Sequence, residues 1–204
     1  QHNEAIAYGT NSNSYSNDDV LIYERKFYDD VKLVAINRQP DKAYTIDNVE
    51  TLLPEGEYVD FLGGMLNGEN ISVYASTGIN TTASITLDGG EVGVWQYDAA
   101  ANAPEIGNVV STMGRAGNRV YIYGDGLDGN ISVKFDETEA TVESNTANEI
   151  VTYVPDNAVA GYNDITVTKG DAVSNSFTYN VLSGGQNQVI FHVKAETSYC
   201  ENIY

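Results

Sequence analysis

The sequence VLIYERKF at Val20–Phe27 is followed, after a short polar gap, by VKLVAIN at residues 31–37. Both segments are short, rich in β-branched and aromatic residues, and flanked by Asp and Asn, which is typical of strands bounded by turns. Neither has the apolar spacing of 3.6 residues that an amphipathic helix requires. The two segments therefore predict neighbouring strands.

Similar segments recur along the chain, with apolar residues at every second position and Gly, Asn or Asp between them. No segment predicts a helix. Many short strands at this spacing predict an all-β protein built from antiparallel sandwiches. The predicted strands are residues 20–27, 31–37, 58–62, 71–74, 83–87, 92–97, 120–123, 131–135, 140–143, 150–154, 164–168, 177–182 and 189–194.

The charge of the chain excludes some partners. Its 204 residues include 10 Lys and Arg against 29 Asp and Glu, a formal net charge of −19. Such a surface repels phosphate, so we expect neither nucleic acid nor an anionic membrane as a partner. No apolar run approaches the roughly 20 residues that cross a bilayer. The hydrophobic fraction of 42% is enough for a packed core.

Cysteine and histidine are too scarce for several kinds of site. The chain has one Cys, Cys200, and two His. A zinc site, a thiol relay or a His-based triad needs several such groups converging in space. These chemistries, and a disulfide within the chain, are therefore not expected.

Two breaks in the strand pattern predict the domain organisation. Small residues and a Pro fill residues 98–104, and a polar Gly-rich stretch fills residues 182–187. We predict a first sandwich at residues 5–98, a linker at 99–103, a second sandwich at 104–183 and the start of a third β-unit at 186–204. The strand at 189–194 would be unpartnered in this arrangement, so we expect a partner chain or further residues beyond Tyr204 to cover it.

The first unit contains, in order, AYGT at 7–10, NDDVLIYERKF at 17–27, LPEGEY at 53–58, LGGMLNG at 62–68 and GVWQY at 93–97. This succession resembles domain C of the cyclodextrin glucanotransferases and the maltogenic α-amylases of glycoside hydrolase family thirteen. The second unit, with APEIG at 103–107 and AGNRVYIYGDGL at 116–127, resembles the immunoglobulin-like domain D of the same enzymes. Residues 187–204 are similar to the opening hairpin of their starch-binding domain.

The resemblance implies a non-catalytic C-terminal segment of a secreted, extracellular starch-acting enzyme, with α-glucan and the catalytic barrel of the parent as partners. The barrel itself is absent, and such a barrel alone takes roughly 250 residues. The implied calcium sites lie in that absent part, so no cofactor is expected in this chain. The alternative is a free-standing extracellular interaction or surface protein built from the same two sandwich types.

The sequence also offers no catalytic pair of its own. Glycosidic chemistry needs two carboxyl groups flanking one bond. The adjacent pairs Asp18-Asp19 and Asp29-Asp30 would point to opposite faces of a strand, so we interpret them as solvated turn charges.

One carbohydrate site is implied by the resemblance. The family has an Arg-Trp-x-Asn stretch before the first long strand that binds maltose, and the matching residues here are 14–17. Tyr15 would stack on a sugar ring and Asn17 would orient it, although Ser14 cannot replace the Arg. The alternative is an ordinary exposed Tyr in a polar loop.

Two other features invite a functional reading. Trp95 shares a strand face with Gly93 and Tyr97, and we predict that it packs in a core or between domains. The acidic stretch at residues 125–130 suits calcium by residue type, but Leu127 and Gly129 occupy positions where an EF-type loop needs ligands. We predict a tight turn there.

Overall fold

Strands dominate the computed structural model, which describes residues 4–76, 78 and 80–184. The elements are, in chain order, α1 (Glu4–Tyr8), β1 (Thr10–Ser16), β2 (Val20–Phe27), β3 (Asp30–Asn37), β4 (Tyr44–Thr51), β5 (Gly56–Tyr58), β6 (Ile71–Tyr74), β7 (Thr81–Leu87), β8 (Val92–Tyr97), β9 (Glu105–Val110), β10 (Met113–Gly114), β11 (Arg119–Asp125), β12 (Ile131–Phe135), β13 (Thr138–Ala140), β14 (Val142–Asn145), β15 (Glu149–Tyr153), β16 (Gly161–Lys169), β17 (Ala172–Val173) and β18 (Phe177–Val181). The all-β prediction is confirmed.

Two sheets enclose the first core. One has the strand order β1-β2-β3-β8 and the other β4-β7-β6-β5. Alternate residues of each sheet point inward and form one cluster, in which Ile22, Leu33, Ile85 and Trp95 are at most 1% exposed. The prediction that Trp95 is a packing residue is confirmed, and its indole Nε1 donates a hydrogen bond of 2.8 Å to the backbone oxygen of Glu69.

Two further sheets enclose the second core. The order is β10-β18-β16-β12-β13, with β17 attached to β16, in one sheet and β14-β15-β11-β9 in the other. The rings of Phe135 and Tyr179 meet edge to face at 5.3 Å inside this core. The ladders between strands of the described residues are antiparallel, except the short parallel pair β10–β18.

Some local predictions were wrong. The five residues of α1 are helical, although no helix was predicted. Residues 59–62 are not a strand, because β5 ends at Tyr58 and a turn follows. Strands β1, β4 and β9 and the two-residue strands β10 and β17 were missed. The predicted third unit at residues 186–204, including Cys200, lies outside the described residues.

Helix α1 lies where the two sandwiches meet. Its Ala5 is fully buried, and Asn148 Nδ2 of the second sandwich donates a hydrogen bond of 2.5 Å to Glu4 Oε1. The Tyr8 ring lies so close to Gly107 on β9 that a Cβ there would be 2.3 Å from a ring carbon. The helix therefore contacts both sandwiches. None of the helical segments in the described residues has the length and apolar character that a membrane span requires.

Candidate functional site

Tyr15 lies near the end of the edge strand β1, opposite Ile22 of β2. Its side chain is half-buried and packs against the first core. Contact with a core fixes the plane of an aromatic ring, while the exposed part of the ring stays available to a ligand. The position therefore suits stacking by part of the ring.

Asn17 is held beside Tyr15 by the turn that leads into β2. Its Nδ2 donates a hydrogen bond of 3.0 Å to the Tyr15 hydroxyl. Its Oδ1 accepts hydrogen bonds from the backbone nitrogens of Asp19, at 2.8 Å, and Val20, at 2.6 Å. The structure thus brings the two predicted site residues together and orients both.

A polar cluster around Asp19 supports this turn. The carboxylate of Asp19 accepts hydrogen bonds from Gln39 Nε2, at 2.5 Å, and from the Tyr44 hydroxyl, and Arg38 lies 3.9 Å away. The hydrogen bonds from Gln39 and Tyr44 are the main reason that the pKa of Asp19 is lowered. Sequence reasoning missed the cluster because Asp19 is separated from its partners by 19 to 25 residues of chain.

A polar cleft of about 330 Å³ opens beside this strand. Leu52 is the one apolar residue among those that line it, and hydroxyl, amide and carboxyl groups dominate the rest. These groups can exchange hydrogen bonds with the hydroxyls of a sugar. The lining residues are Ser12, Ser14, Glu24, Asn48, Glu50, Leu52 and Asn80.

Glu24 is the buried acid of this cleft. It is 2% exposed, and its Oε1 accepts hydrogen bonds from the Thr51 hydroxyl and, at 2.9 Å, from the Leu52 backbone nitrogen. Burial raises its pKa. Sequence reasoning missed this residue, although a carboxylate on the inward face of an apolar strand is the signal that could have found it.

The two members of each adjacent acid pair lie in different surroundings. Asp18 is exposed, whereas Asp19 is held in the cluster described above. Asp29 is exposed, whereas Asp30 is buried and its Oδ1 accepts a hydrogen bond of 2.7 Å from the backbone nitrogen of Ala99.

Asp30 instead faces a cavity of about 240 Å³ between the two sandwiches, together with Glu105 and Asp125. Burial, with the nearby acids Asp125, Asp98 and Glu4, raises the pKa of Asp30 to about 6. Burial, with the nearby acids Asp125, Asp30 and Asp29, raises the pKa of Glu105 to about 7. These two carboxyl groups therefore titrate near neutral pH.

Where a tight turn was predicted at residues 125–130, Asp125 ends β11 and residues 126–130 form an irregular connection to β12, with φ angles of 66° at Gly126 and 80° at Gly129. The Asp128 carboxylate forms an ion pair with Lys169 Nζ at 2.6 Å, and Leu127 is fully buried. Across residues 4–184, apart from 77 and 79, no group of three or more His, Cys, Asp or Glu is arranged to hold a metal ion.

Comparison with known proteins matches the second sandwich to a domain family. The IPT/TIG domain family matches residues 104–183. This match agrees with the two-sheet arrangement of the second core, which is an immunoglobulin-like sandwich.

The whole chain matches one class of enzyme. It is 45% identical, over 99% of its length, to a cyclomaltodextrin glucanotransferase of Thermoanaerobacterium thermosulfurigenes, and 40% identical, over 100% of its length, to that of Geobacillus stearothermophilus. It spans only 28% and 29% of the lengths of these relatives. Among solved structures, the γ-cyclodextrin glucanotransferase of the alkalophile Bacillus clarkii aligns with 89% of the chain and 27% of its own, with a TM-score of 0.73 and 37% identity.

The predicted resemblance is thereby confirmed for both described sandwiches. The chain is homologous, over essentially its whole length, to the C-terminal region of the cyclomaltodextrin glucanotransferases.

Proposed function

We propose that the chain is a non-catalytic accessory segment of a secreted enzyme that acts on α-1,4-glucans, and that it supports the catalytic part and binds glucan weakly. The observation that carries the proposal is its 45% identity, over 99% of its length, to a segment of a cyclomaltodextrin glucanotransferase. In each adjacent acid pair one carboxylate is exposed and the other accepts hydrogen bonds from the fold, so we expect the chain alone to release no reducing sugar from starch.

The structural role rests on an exposed apolar turn. Residues 59–66 present Val59 at 72% exposure, Met65 at 81%, Phe61 at 41% and Leu66 at 46%. An exposed group of large apolar side chains in one segment is typical of a contact surface. We propose that the catalytic part of the parent enzyme packs against this turn.

The glucan-binding role rests on Tyr15, Asn17 and the neighbouring polar cleft. The Tyr15 ring offers a flat apolar surface, and the cleft offers hydroxyl and amide groups on the same side of the sandwich. A neutral glucan is compatible with the acidic surface because it carries no charge to be repelled. Since Ser14 replaces the family's Arg and Tyr15 its Trp, we expect weak binding.

Titration calorimetry with maltoheptaose tests this site. Replacing Tyr15 by Ala removes the stacking surface and is expected to weaken binding by about fivefold, whereas Tyr15→Trp is expected to tighten it. Tyr74→Ala, at a tyrosine of the first sandwich that is 59% exposed, serves as the matched control. Unchanged affinity in both Tyr15 variants would contradict the proposed site.

A further inference from the structure

Two tyrosines of strand β11 lie on the outer face of one sheet of the second sandwich. Residues of β11 alternate, so that Val120 and Ile122 are buried in the core while Tyr121 and Tyr123 lie on the outer face of the sheet. The two rings are 6.5 Å apart, centre to centre, and their planes differ by 8°. They therefore form a nearly parallel, stacked aromatic pair on this surface.

A third tyrosine extends this surface. Strand pairing sets Arg119 of β11 opposite Tyr153 of β15. Arg119 Nη2 donates hydrogen bonds of 3.1 Å to the Tyr153 hydroxyl and 2.9 Å to Glu143 Oε1, and the Tyr153 hydroxyl donates to Glu143 Oε2. The guanidinium carbon lies 5.7 Å from the centre of the Tyr153 ring. These bonds fix the side chains before any ligand arrives, which lowers the entropic cost of binding.

Apolar and polar neighbours complete what we call the tyrosine face, defined by Tyr121, Tyr123 and Tyr153. Val151 and Val110 pair with Tyr121 from the strands on either side. Val151 is 8% exposed and forms the floor, whereas Val110 is 46% exposed. Asn108 and Glu149 pair with Tyr123 in the same way. The face thus has an apolar centre and a rim of hydrogen-bonding groups, and Tyr8 of helix α1 borders it at the Tyr123 end.

We propose that the tyrosine face is a second carbohydrate-binding site, which holds a neutral α-glucan chain by stacking sugar rings on Tyr121 and Tyr123. Sugar rings have apolar C–H faces and hydroxyl edges, and these match parallel aromatic rings with a polar rim. That the sugar is an α-glucan rests on the proposed function. The site itself is in the second sandwich, on residues separate from Tyr15 and Asn17.

Charge favours a neutral ligand over an anionic one. Glu143 neutralises Arg119, and Glu149 adds a negative charge to the rim. With a net charge of −19 on the whole chain, a phosphorylated or acidic ligand would be repelled. An uncharged polyhydroxyl chain is not subject to this electrostatic repulsion.

The test combines substitution with mapping on the 204-residue chain. The double variant Tyr121→Ala/Tyr123→Ala is expected to lose at least about fivefold in maltoheptaose affinity, and the double Phe variant, which keeps both rings, is expected to lose much less. Tyr162→Ala, on the other sheet of the same sandwich and 78% exposed, is the matched control.

Amide chemical-shift mapping of the unsubstituted chain keeps the test valid if the Ala variant folds poorly. We expect maltoheptaose to shift residues 119–123 and 149–153 but not 161–169. If only residues around Tyr15 shift and only the Tyr15 variants lose affinity, the tyrosine face is overturned while the Tyr15 site stands. If the Tyr15 variants keep their affinity and the amides of the tyrosine face shift, the tyrosine face stands and the Tyr15 site is overturned.

The competing occupant is the preceding part of the parent enzyme. In that case the Ala double variant would lower the melting temperature of the complete enzyme, and the 204-residue chain would show no maltoheptaose shift on β11. This pair of results would overturn the carbohydrate site.

Discussion

Asp60 shows how one buried carboxylate organises the exposed apolar turn. It is 7% exposed; its Oδ2 accepts a hydrogen bond of 2.8 Å from the backbone nitrogen of Gly64, and its Oδ1 one of 3.0 Å from that of Val94. The turn at residues 59–66 is therefore tied to the edge strand β8 by this side chain, alongside backbone hydrogen bonds from Phe61 N to the Val94 oxygen, at 2.7 Å, and from Val92 N to the Leu66 oxygen, at 3.1 Å.

Replacing Asp60 by Ala is expected to destabilise the chain by about 1–2 kcal/mol, because two partly buried backbone hydrogen bonds lose their acceptor. Urea unfolding measures the change in the free energy of unfolding. Glu55→Ala, at an exposed carboxylate in the same region, is the control and is expected to change stability by less than about 0.5 kcal/mol. Equal effects of the two substitutions would contradict the anchoring role.

Single residues were predictable where a local pattern marked them. Trp95 and the connection at residues 126–130 could be placed from alternation and glycine spacing. Tyr15 and Asn17 were named from a resemblance, and the structure brings them together. Glu24 was missed because its partners are Thr51, at the end of a strand in the other sheet, and Leu52, which follows it. The local sequence of a strand does not indicate which strand packs across from it.

At the scale of an element, strand β4 is interrupted by a residue in a left-handed conformation. Asn48 has a φ angle of 57°, and the register against β7 shifts between Ile46 and Val49. This irregularity moves Val49 inward and leaves the Asn48 side chain at the polar cleft. Alternation of apolar residues is lost at the same point, which is why β4 could not be predicted.

We expect Asn48→Ala to destabilise the chain by about 1 kcal/mol, because a left-handed conformation is costly for residues other than Gly and Asn. Asn48→Gly is expected to leave stability unchanged or slightly higher, because Gly adopts this conformation without strain. Equilibrium unfolding in urea compares the two variants. A larger loss for Gly than for Ala would show that the side chain, and not the backbone, determines stability here.

Two other elements escaped prediction for different reasons. Helix α1 has five residues, too few for a helical period to show, and helices this short depend on tertiary contacts. Its contacts include Arg25 Nε, which donates a hydrogen bond of 3.0 Å to the backbone oxygen of Ala5. Strand β1 reads TNSNSYS and is polar on both faces, so its strand character comes from pairing with β2 and not from alternation.

At the scale of the whole molecule, acidic groups converge where the two sandwiches meet. The cavity there is lined by the linking residues 99–104 and by carboxyl groups from both sides. Burial lowers the pKa of Lys32, a basic group close to these acids. The negative charges of Asp98 and Glu4 act in the opposite direction and raise it. The acidic and phenolic groups that face Asp30 and Glu105 are Glu4, Tyr28, Asp29, Asp98 and Asp125.

This interface is expected to weaken as pH rises. The pKa values of Asp30 and Glu105 are raised on folding, from 3.8 to about 6 and from 4.5 to about 7. Their protonated forms are favoured in the folded state, so the stabilisation is complete below about pH 4 and is lost as pH rises through 6 and 7. The double variant Asp30→Asn/Glu105→Gln should therefore gain stability relative to the parent chain between pH 5 and 8.

The free energy of unfolding, measured in urea at several pH values for both proteins, checks this dependence. Asp156→Asn, at an exposed carboxyl group, is the control and should track the parent chain. A constant difference between the double variant and the parent across this pH range would contradict the prediction.

The presence of two cores was predictable from sequence because each is built from consecutive strands. The first core takes its buried residues from Val20 to Trp95 and the second from Ile106 to Val181. How the sandwiches meet was not predictable, because the contact depends on a helix without a sequence signal and on the closeness of Tyr8 to Gly107.

Helix α1 has a practical consequence for protein engineering. It contacts the first sandwich at Arg25 and the second at Asn148, so it links the two sandwiches through hydrogen bonds. A chimaera that exchanges the two sandwiches between enzymes would keep their mutual orientation only if the graft starts upstream of Glu4. A junction within the AYGT sequence at residues 7–10 would divide helix α1 between the two parent enzymes. The second sandwich would then contact a helix whose first residues come from a different enzyme.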